Sequence, residues 1–186
     1  MTHLGSVSVR FALLAVFGAG LLWPLSTTLA LRVAFPDRAS GSMLRWEGRI
    51  VGSSLVGQAF TEDRYLWGRP SACGYDPRAA AGSNLAPSNP ALRARAASDA
   101  AALGLASPPP EALAASGSGL DPHVSPAHAA LQVGRVAAAR GLPEQAVSEV
   151  IAAHTEAGWL GAPRVDVLGV NLALDRARSA TRATPR

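Results

Sequence analysis

The feature that most constrains the fold is an apolar stretch near the N-terminus, residues 11–34, which reads FALLAVFGAGLLWPLSTTLALRVA. Because an α-helix rises about 1.5 Å per residue, roughly 20 apolar residues are enough to cross the hydrocarbon core of a bilayer. The one charged residue of the stretch is Arg32, close to its end, where a long side chain reaches the interface. The stretch therefore predicts a single transmembrane helix.

A cleaved signal peptide is the alternative reading of the same stretch. Arg10 then forms a short basic region, and Thr28-Leu29-Ala30 has the small-x-small pattern of a cleavage site. Apolar character continues past Ala30 to Phe35, however, which favours a retained anchor.

The arginines that flank the stretch bear on its orientation. Arg10 precedes it, whereas Arg32, Arg38, Arg45 and Arg49 lie at its end or soon after. Positively charged flanks tend to stay in the cytoplasm, although the rule weakens when a large domain is translocated. Charge counting by itself thus mildly favours a cytoplasmic position for the C-terminal part.

Beyond the stretch, alternating patterns predict an α+β extramembrane domain. Helices are expected at 90–103, 125–140 and from Pro143, with short strands within 50–58 and 165–168 and a loop over 61–90. A last short helix is expected near Leu172. The predicted division is an N-terminal tail at 1–10, the transmembrane helix at 11–34, a linker at 35–45, the extramembrane domain at 46–178 and a disordered tail at 179–186.

Composition excludes several classes of function. All seventeen basic residues are Arg, so neither a P-loop nor a Schiff-base lysine can exist in this chain. The arginines are interleaved with thirteen acids and accompany no recognition motif, which argues against nucleic-acid binding. Aromatic residues make up only 5% of the chain, and this predicts a core of small aliphatic side chains.

No catalytic or metal-binding constellation is evident. His123 and His128 are five residues apart, Cys73 is the single cysteine, and the carboxylates show no paired spacing. The more unusual feature is the stripe of His128, Gln132 and Arg135 on an otherwise Ala- and Val-rich helix. Burying such groups is costly unless they are paired, so the stripe predicts either a buried network that ties the helix to the loops or a contact with a partner or an anion.

Several motifs together carry a family resemblance. GSSLVGQAF at 52–60, YLWGRPSA at 65–72, GSNL at 82–85, ASGSGLDPHVSP at 115–126 and NLALD at 171–175 occur in this order. In sequence and order they resemble the motifs of the C subunits of the bacterial high-affinity potassium-transporting P-type ATPases, the Kdp system.

The resemblance implies a non-catalytic accessory subunit of a potassium-importing complex, with ATP hydrolysis on another chain. It implies two protein partners, a potassium-channel-like subunit and a P-type ATPase subunit, and contact with membrane lipid. It further implies a single-pass position in the cell inner membrane with the soluble domain on the extracytoplasmic side. Two roles follow from it: holding the assembly together and raising the affinity of the ATPase subunit for ATP.

If ATP is contacted through a site shared with the ATPase subunit, Gln132 is the first candidate, followed by the loop of Ser116, Gly117, Ser118 and Gly119. That loop lacks the spacing of a nucleophile elbow and is otherwise explained as a tight turn packed against another part of the backbone. Two alternatives remain at this point: a nucleotide-binding chaperone that acts from the cytoplasm, and a secreted or membrane-anchored domain with an unrelated binding role, including a secreted hydrolase.

Overall fold

The structure, a computed structural model, describes residues 2–104, 108–158 and 161–183. It divides into two compact units, Met1–Met43 and Leu44–Arg186. Short helices and small antiparallel sheets follow an N-terminal helix, so the α+β class predicted from the sequence is confirmed.

The first unit is dominated by one continuous helical rod. Helix α1 (Thr2–Ala15) passes through a π-helical segment (Val16–Leu22) into α2 (Trp23–Ala34). Within the described residues, Gly5–Ala34 is the one helix long and apolar enough to cross a membrane, with a mean hydropathy of 1.8. This fits the single span predicted from the sequence.

The wider π-helical turns lie directly before Pro24. The N–H of Trp23 donates to the carbonyl of Gly18, five residues back, and Pro24 then has no N–H to donate. The hydroxyls of Ser26 and Thr27 donate to the carbonyl of Trp23 at 3.0 and 2.8 Å. These bonds go to the carbonyl just before Pro24 and not to the one that Pro24 leaves without a donor, so they add to the hydrogen bonding of the helix after the π-helical segment.

Regular structure extends into segments that the sequence assigned to a tail and a linker. Helix α1 already begins at Thr2, inside the predicted tail 1–10. Helix α3 (Pro36–Ala39) lies inside the predicted linker 35–45, where Pro36 occupies the first turn and Asp37 complements the positive end of the helix dipole.

The second unit begins with a hairpin of β1 (Met43–Trp46) and β2 (Arg49–Ser53). Its two turn residues, Glu47 and Gly48, both have positive φ, at 47° and 78°, the geometry that suits a tight two-residue hairpin. The strand expected within 50–58 therefore ends at Ser53, whose hydroxyl accepts a hydrogen bond from the N–H of Leu55 and starts a turn.

A three-stranded antiparallel sheet forms the centre of this unit, in the order β3 (His123–Val124), β5 (Arg164–Asp166), β4 (Thr155–Glu156). Val165 of β5 lies opposite both Val124 and Thr155. The strand expected at 165–168 ends at Asp166, because its carboxylate accepts from the N–H of Gly169 at 3.0 Å and the chain turns into a helix.

Helix boundaries follow local signals in several places. Asn89 caps α4 (Pro90–Leu103), which ends at the left-handed Gly104, as predicted. The helix predicted at 125–140 is instead interrupted after Ala130. The remaining helices of the unit are α5 (Pro110–Leu113), α6 (Pro126–Ala130), α7 (Val133–Arg140), α8 (Glu144–Ala153) and α9 (Val167–Ala183).

The last helix is longer than the short helix expected near Leu172, because Val167, Val170 and Leu174 give it an apolar face that packs into the core. It reaches Ala183, so it includes residues 179–183 of the predicted disordered tail, and residues 184–186 lie outside the described residues.

The core is built from small aliphatic side chains, as expected from the low aromatic content. Helices α6 and α9 pack on β5 of the sheet, α8 packs on α6, α7 and α9, and one loop residue joins them. The core members are Leu66, Val124, Ala129, Val133, Val136, Ala137, Val147, Ile151, Val165, Val167, Val170 and Leu174.

Candidate functional site

The most unusual local arrangement concerns the loop between the hairpin and α4. Its residues 62–70, called here the docked segment, lie against α7 and α9. Leu66 at the middle of the segment is 1% exposed and belongs to the core, although it is in no helix or strand. A loop so placed needs partners for its backbone polar groups, because burying them unpaired is costly.

Two carboxamide side chains supply those partners. Asn171 of α9 accepts from the N–H of Leu66 at 2.7 Å and donates to its carbonyl at 2.9 Å. Gln132 accepts from the N–H of Trp67 at 2.9 Å and donates to its carbonyl at 3.0 Å. Each amide thus satisfies both backbone groups of one residue, as a neighbouring strand would do.

These amides are buried, with Gln132 1% and Asn171 2% exposed. Gln132 lies between α6 and α7, where the helix is interrupted, and its backbone has φ −98° and ψ −7°. The interruption of the predicted helix therefore coincides with the residue whose side chain holds Trp67.

Arg135, one turn along α7, extends the same network. Its guanidinium lies 3.7 Å from the centre of the Trp67 ring, donates to Gln132 Oε1 at 2.6 Å and donates to the carbonyl of Asp63 at 2.7 Å. Burial lowers the pKa of Arg135, whereas the nearby Asp63 carboxylate opposes that shift. The predicted buried network that ties this helix to the loops is thus found for Gln132 and Arg135.

Arg140, at the end of α7, also holds the first part of the docked segment. It donates to the carbonyl of Arg64 at 2.6 Å and forms a 2.9 Å ion pair with Asp175, and its side chain is 1% exposed. The hydroxyl of Tyr65 donates to the same carboxylate at 3.3 Å. Burial, together with the charge of Asp175, raises the pKa of Tyr65.

The third member of the predicted stripe, His128, faces a different part of the unit. It is buried beside a cavity of about 150 Å³ that Asp99 and Leu103 of α4 also line. Burial lowers the pKa of His128, and the neighbouring Glu111 carboxylate acts in the opposite direction. Gln132 and Arg135 therefore contact the docked segment, whereas His128 lines the cavity beside α4.

The loop of Ser116 to Gly119 packs tightly against another loop. The N–H of Ser116 donates to the carbonyl of Pro70 at 3.0 Å, and the hydroxyl of Ser118 accepts from the N–H of Leu120 at 3.1 Å. Gly119 has φ +70°, and a Cβ there would lie 2.5 Å from Cys73 Sγ. Glycine is needed at this position for both reasons.

The residues predicted to contact nucleotide thus contact different points of the loop between the hairpin and α4. Gln132 holds Trp67, while the loop of Ser116 to Gly119 packs on Pro70 and Cys73. Both polar atoms of the Gln132 amide already have backbone partners. A nucleotide that reached them would have to replace those hydrogen bonds.

Sequence reasoning missed Asn171 as the counterpart of Gln132. The signal was present, because Asn171 is a polar residue between Val170 and Leu172 on the apolar side of a helix. Only the position of Leu66, 105 residues earlier in the chain, explains why an amide is needed there.

A cavity of about 450 Å³ lies between the hairpin and α9 and borders the docked segment. Trp46, Phe60 and Leu168 contribute apolar walls, and Tyr65 and Asp175 contribute polar groups. Among the residues that the structure describes, no group of three or more His, Cys, Asp or Glu side chains is placed to hold a metal ion.

Comparison with known proteins decides the family. The model of the family "KdpC: K+-transporting ATPase, c chain" matches residues 6–176, which include the apolar helix, the docked segment and both carboxamides. The chain belongs to the KdpC family. The resemblance inferred from its motifs is thereby confirmed, and an unrelated secreted hydrolase is set aside.

Named members of the KdpC family match along almost the whole chain. A "Potassium-transporting ATPase KdpC subunit" of Xanthomonas campestris pv. campestris (strain B100) is 52% identical over 184 residues, or 93% of this chain and 88% of the relative. Proteins of the same name from Sorangium cellulosum (strain So ce56) and Caulobacter vibrioides (strain NA1000 / CB15N) are 51% and 46% identical, over 86% and 94% of this chain and 90% and 93% of the relatives.

Gln132 and Asn171 make equivalent pairs of hydrogen bonds with the docked segment. Removal of either amide is therefore expected to lower the stability of the protein by a similar amount. Gln132→Ala and Asn171→Ala each leave one N–H and one carbonyl of the docked segment without a partner, which is expected to lower the free energy of unfolding by about 2–4 kcal/mol. Denaturant unfolding of the full chain in detergent, followed by tryptophan fluorescence, measures this. The matched control Gln145→Ala, on the exposed side of α8, is expected to change it by less than about 0.5 kcal/mol. Equal stability of all three variants and the parent would contradict the structural role of the amides.

Proposed function

We propose that this chain is a non-catalytic accessory subunit of an ATP-driven, high-affinity potassium-importing complex, and that it stabilises the assembly of a channel-like subunit with a P-type ATPase subunit. In this proposal the apolar helix lies in the cell inner membrane beside partner helices and lipid. The second unit binds the partner subunits from one side of the membrane, and ATP is hydrolysed on another chain.

The observation that carries the proposal is the rigid docked segment. Its backbone is fixed by Gln132 and Asn171, while the side chains of Glu62 and Asp63 remain 61% and 71% exposed. A loop that is already ordered loses little conformational entropy when another protein binds it. Such a segment suits a subunit whose work is to hold other chains.

The membrane helix supports the same role. Apart from the flanking residues and the helix's own backbone, no atom lies within 4 Å of where a Cβ of Gly18 would be, and at Gly20 only a side-chain atom of Val16 lies that close. Small residues on a spanning helix let a second helix approach closely, and packing of this kind drives association inside a bilayer. The helix therefore offers a contact site within the membrane in addition to the domain outside it.

Omission of this chain tests the assembly role. We expect the two larger subunits to co-purify less efficiently without it and potassium-stimulated ATPase activity to fall at least tenfold, because the contacts between them are lost. The measurement is ATPase activity of the purified complex with and without the chain, with restoration by the parent sequence as the control. Full activity of the two-subunit preparation would refute the proposal.

The soluble unit is proposed to lie on the extracytoplasmic side. Cys73 is only half-exposed and its sulfur lies 3.6 Å from the carbonyl of Gly119, so it is a poor reporter. Ala97→Cys on the exposed surface of α4, in a Cys73→Ser background, is expected to react with a membrane-impermeant maleimide in intact spheroplasts. A cysteine at this position that reacts only after lysis would show that the domain is cytoplasmic. Lysed cells serve as the control for reactivity.

We further propose that any effect on ATP affinity passes through the docked segment rather than through direct contact of Gln132 with nucleotide. Gln132→Ala and Asn171→Ala disturb the same segment, but only Gln132 was predicted to meet ATP. The expected result is that both variants shift the KM for ATP of the assembled complex to a similar extent. A shift confined to Gln132→Ala, with assembly intact, would instead support direct nucleotide contact.

A further inference from the structure

The end of the β1–β2 hairpin projects from the second unit. We call Arg45, Arg49 and Ile50 the hairpin tip. All three are exposed, and Ile50 is 56% exposed although it is a large apolar residue. The other side of the hairpin is different, because Trp46 and Val51 line the large cavity. The hairpin thus combines an inner side that faces its own domain with an outer side on which Ile50 is exposed, and Arg45 and Arg49 lie on either side of the turn.

The charge around the tip is positive. Besides Arg45 and Arg49, Arg176 is a third cation in this region, and its guanidinium lies 5.4 Å from the centre of the Trp46 ring. The turn itself contains one acidic residue, Glu47. Guanidinium groups pair well with phosphate, and basic side chains close to a membrane are attracted to its anionic headgroups. The arrangement is therefore complementary to an anionic lipid headgroup layer.

The covalent connection keeps the tip near such a layer. Residues 35–42 alone link the end of the apolar helix to the hairpin, and even a fully extended segment of this length spans only about 30 Å. Four of those residues form α3 and shorten the reach. Attraction to anionic headgroups acts within about one Debye length, so the tether brings the tip into range repeatedly.

We propose that the hairpin tip binds the anionic headgroup layer of the membrane that the apolar helix enters, with Arg45 and Arg49 on lipid phosphates and Ile50 inserted between headgroups. The contact gives the soluble unit a second attachment to the bilayer, independent of its protein partners. Each arginine near such a surface strengthens binding about fivefold, so the pair contributes tenfold or more.

The test uses the full chain with Cys73→Ser and Ile50→Cys, labelled with an environment-sensitive fluorophore and reconstituted in nanodiscs. One lipid composition is pure phosphatidylcholine and the other contains 30% phosphatidylglycerol, each with a headgroup-proximal nitroxide lipid as quencher. The label at position 50 is expected to be quenched strongly only with phosphatidylglycerol. Leu131→Cys, at an exposed apolar position of the same unit, is the matched label control and is expected to remain bright.

Charge variants separate specific from general attraction. The double variant Arg45→Gln with Arg49→Gln is expected to reduce the fraction of label at position 50 that the nitroxide lipid quenches about tenfold. The double variant Arg45→Lys with Arg49→Lys keeps both positive charges and is expected to retain that quenching. Arg93→Gln, an exposed arginine of α4, is expected to have no effect. Circular dichroism of each variant confirms that the domain is folded.

Four results would overturn the inference: no quenching at position 50 with anionic lipid, equal quenching without it, equal quenching at position 131, or equal loss with Arg93→Gln. A label that is shielded from aqueous iodide in the assembled complex but not quenched by lipid would show that a protein partner covers the tip instead. The readout does not depend on ATPase activity, so the subunit role and this lipid contact can fail separately.

Discussion

The second unit depends on the hydrogen bonds by which two buried amides satisfy the backbone of a loop. Leu66 can enter the core only if its N–H and carbonyl find partners, and Asn171 provides both. Gln132 does the same for Trp67. Because each amide has one donor and one acceptor group in a fixed arrangement, the pair fixes both the position and the orientation of the segment.

This arrangement explains why a domain with so little sheet can be compact. The central sheet pairs only two or three residues per strand, so it supplies few long-range hydrogen bonds. Arginine side chains supply further long-range hydrogen bonds, since Arg135 donates to the carbonyl of Asp63 and Arg140 donates to the carbonyl of Arg64. Guanidinium groups suit this work because they offer several donors in one plane.

The same features connect the fold to the role proposed for the chain. Membership of the KdpC family places it among subunits of a potassium-transporting ATPase. In the proposed role, a docked segment held in one conformation, an apolar helix with small residues and a basic hairpin tip provide three separate means of contact, each with a different chemistry. An accessory subunit needs several attachments of this kind, because each contact is modest by itself.

The sequence by itself determined the features that depend on neighbouring residues: the apolar helix, the start of α6 at Ser125 and Pro126, and the ends of α4 and α7 at Gly104 and Gly141. Its motifs also determined the family. Only the tertiary structure decided that the helix after Ser125 breaks before Gln132, that His128 and Gln132 serve different sites, and that Asn171 is part of the network. The physical reason is distance along the chain, since these bonds join residues 65 and 105 positions apart, which no local pattern records.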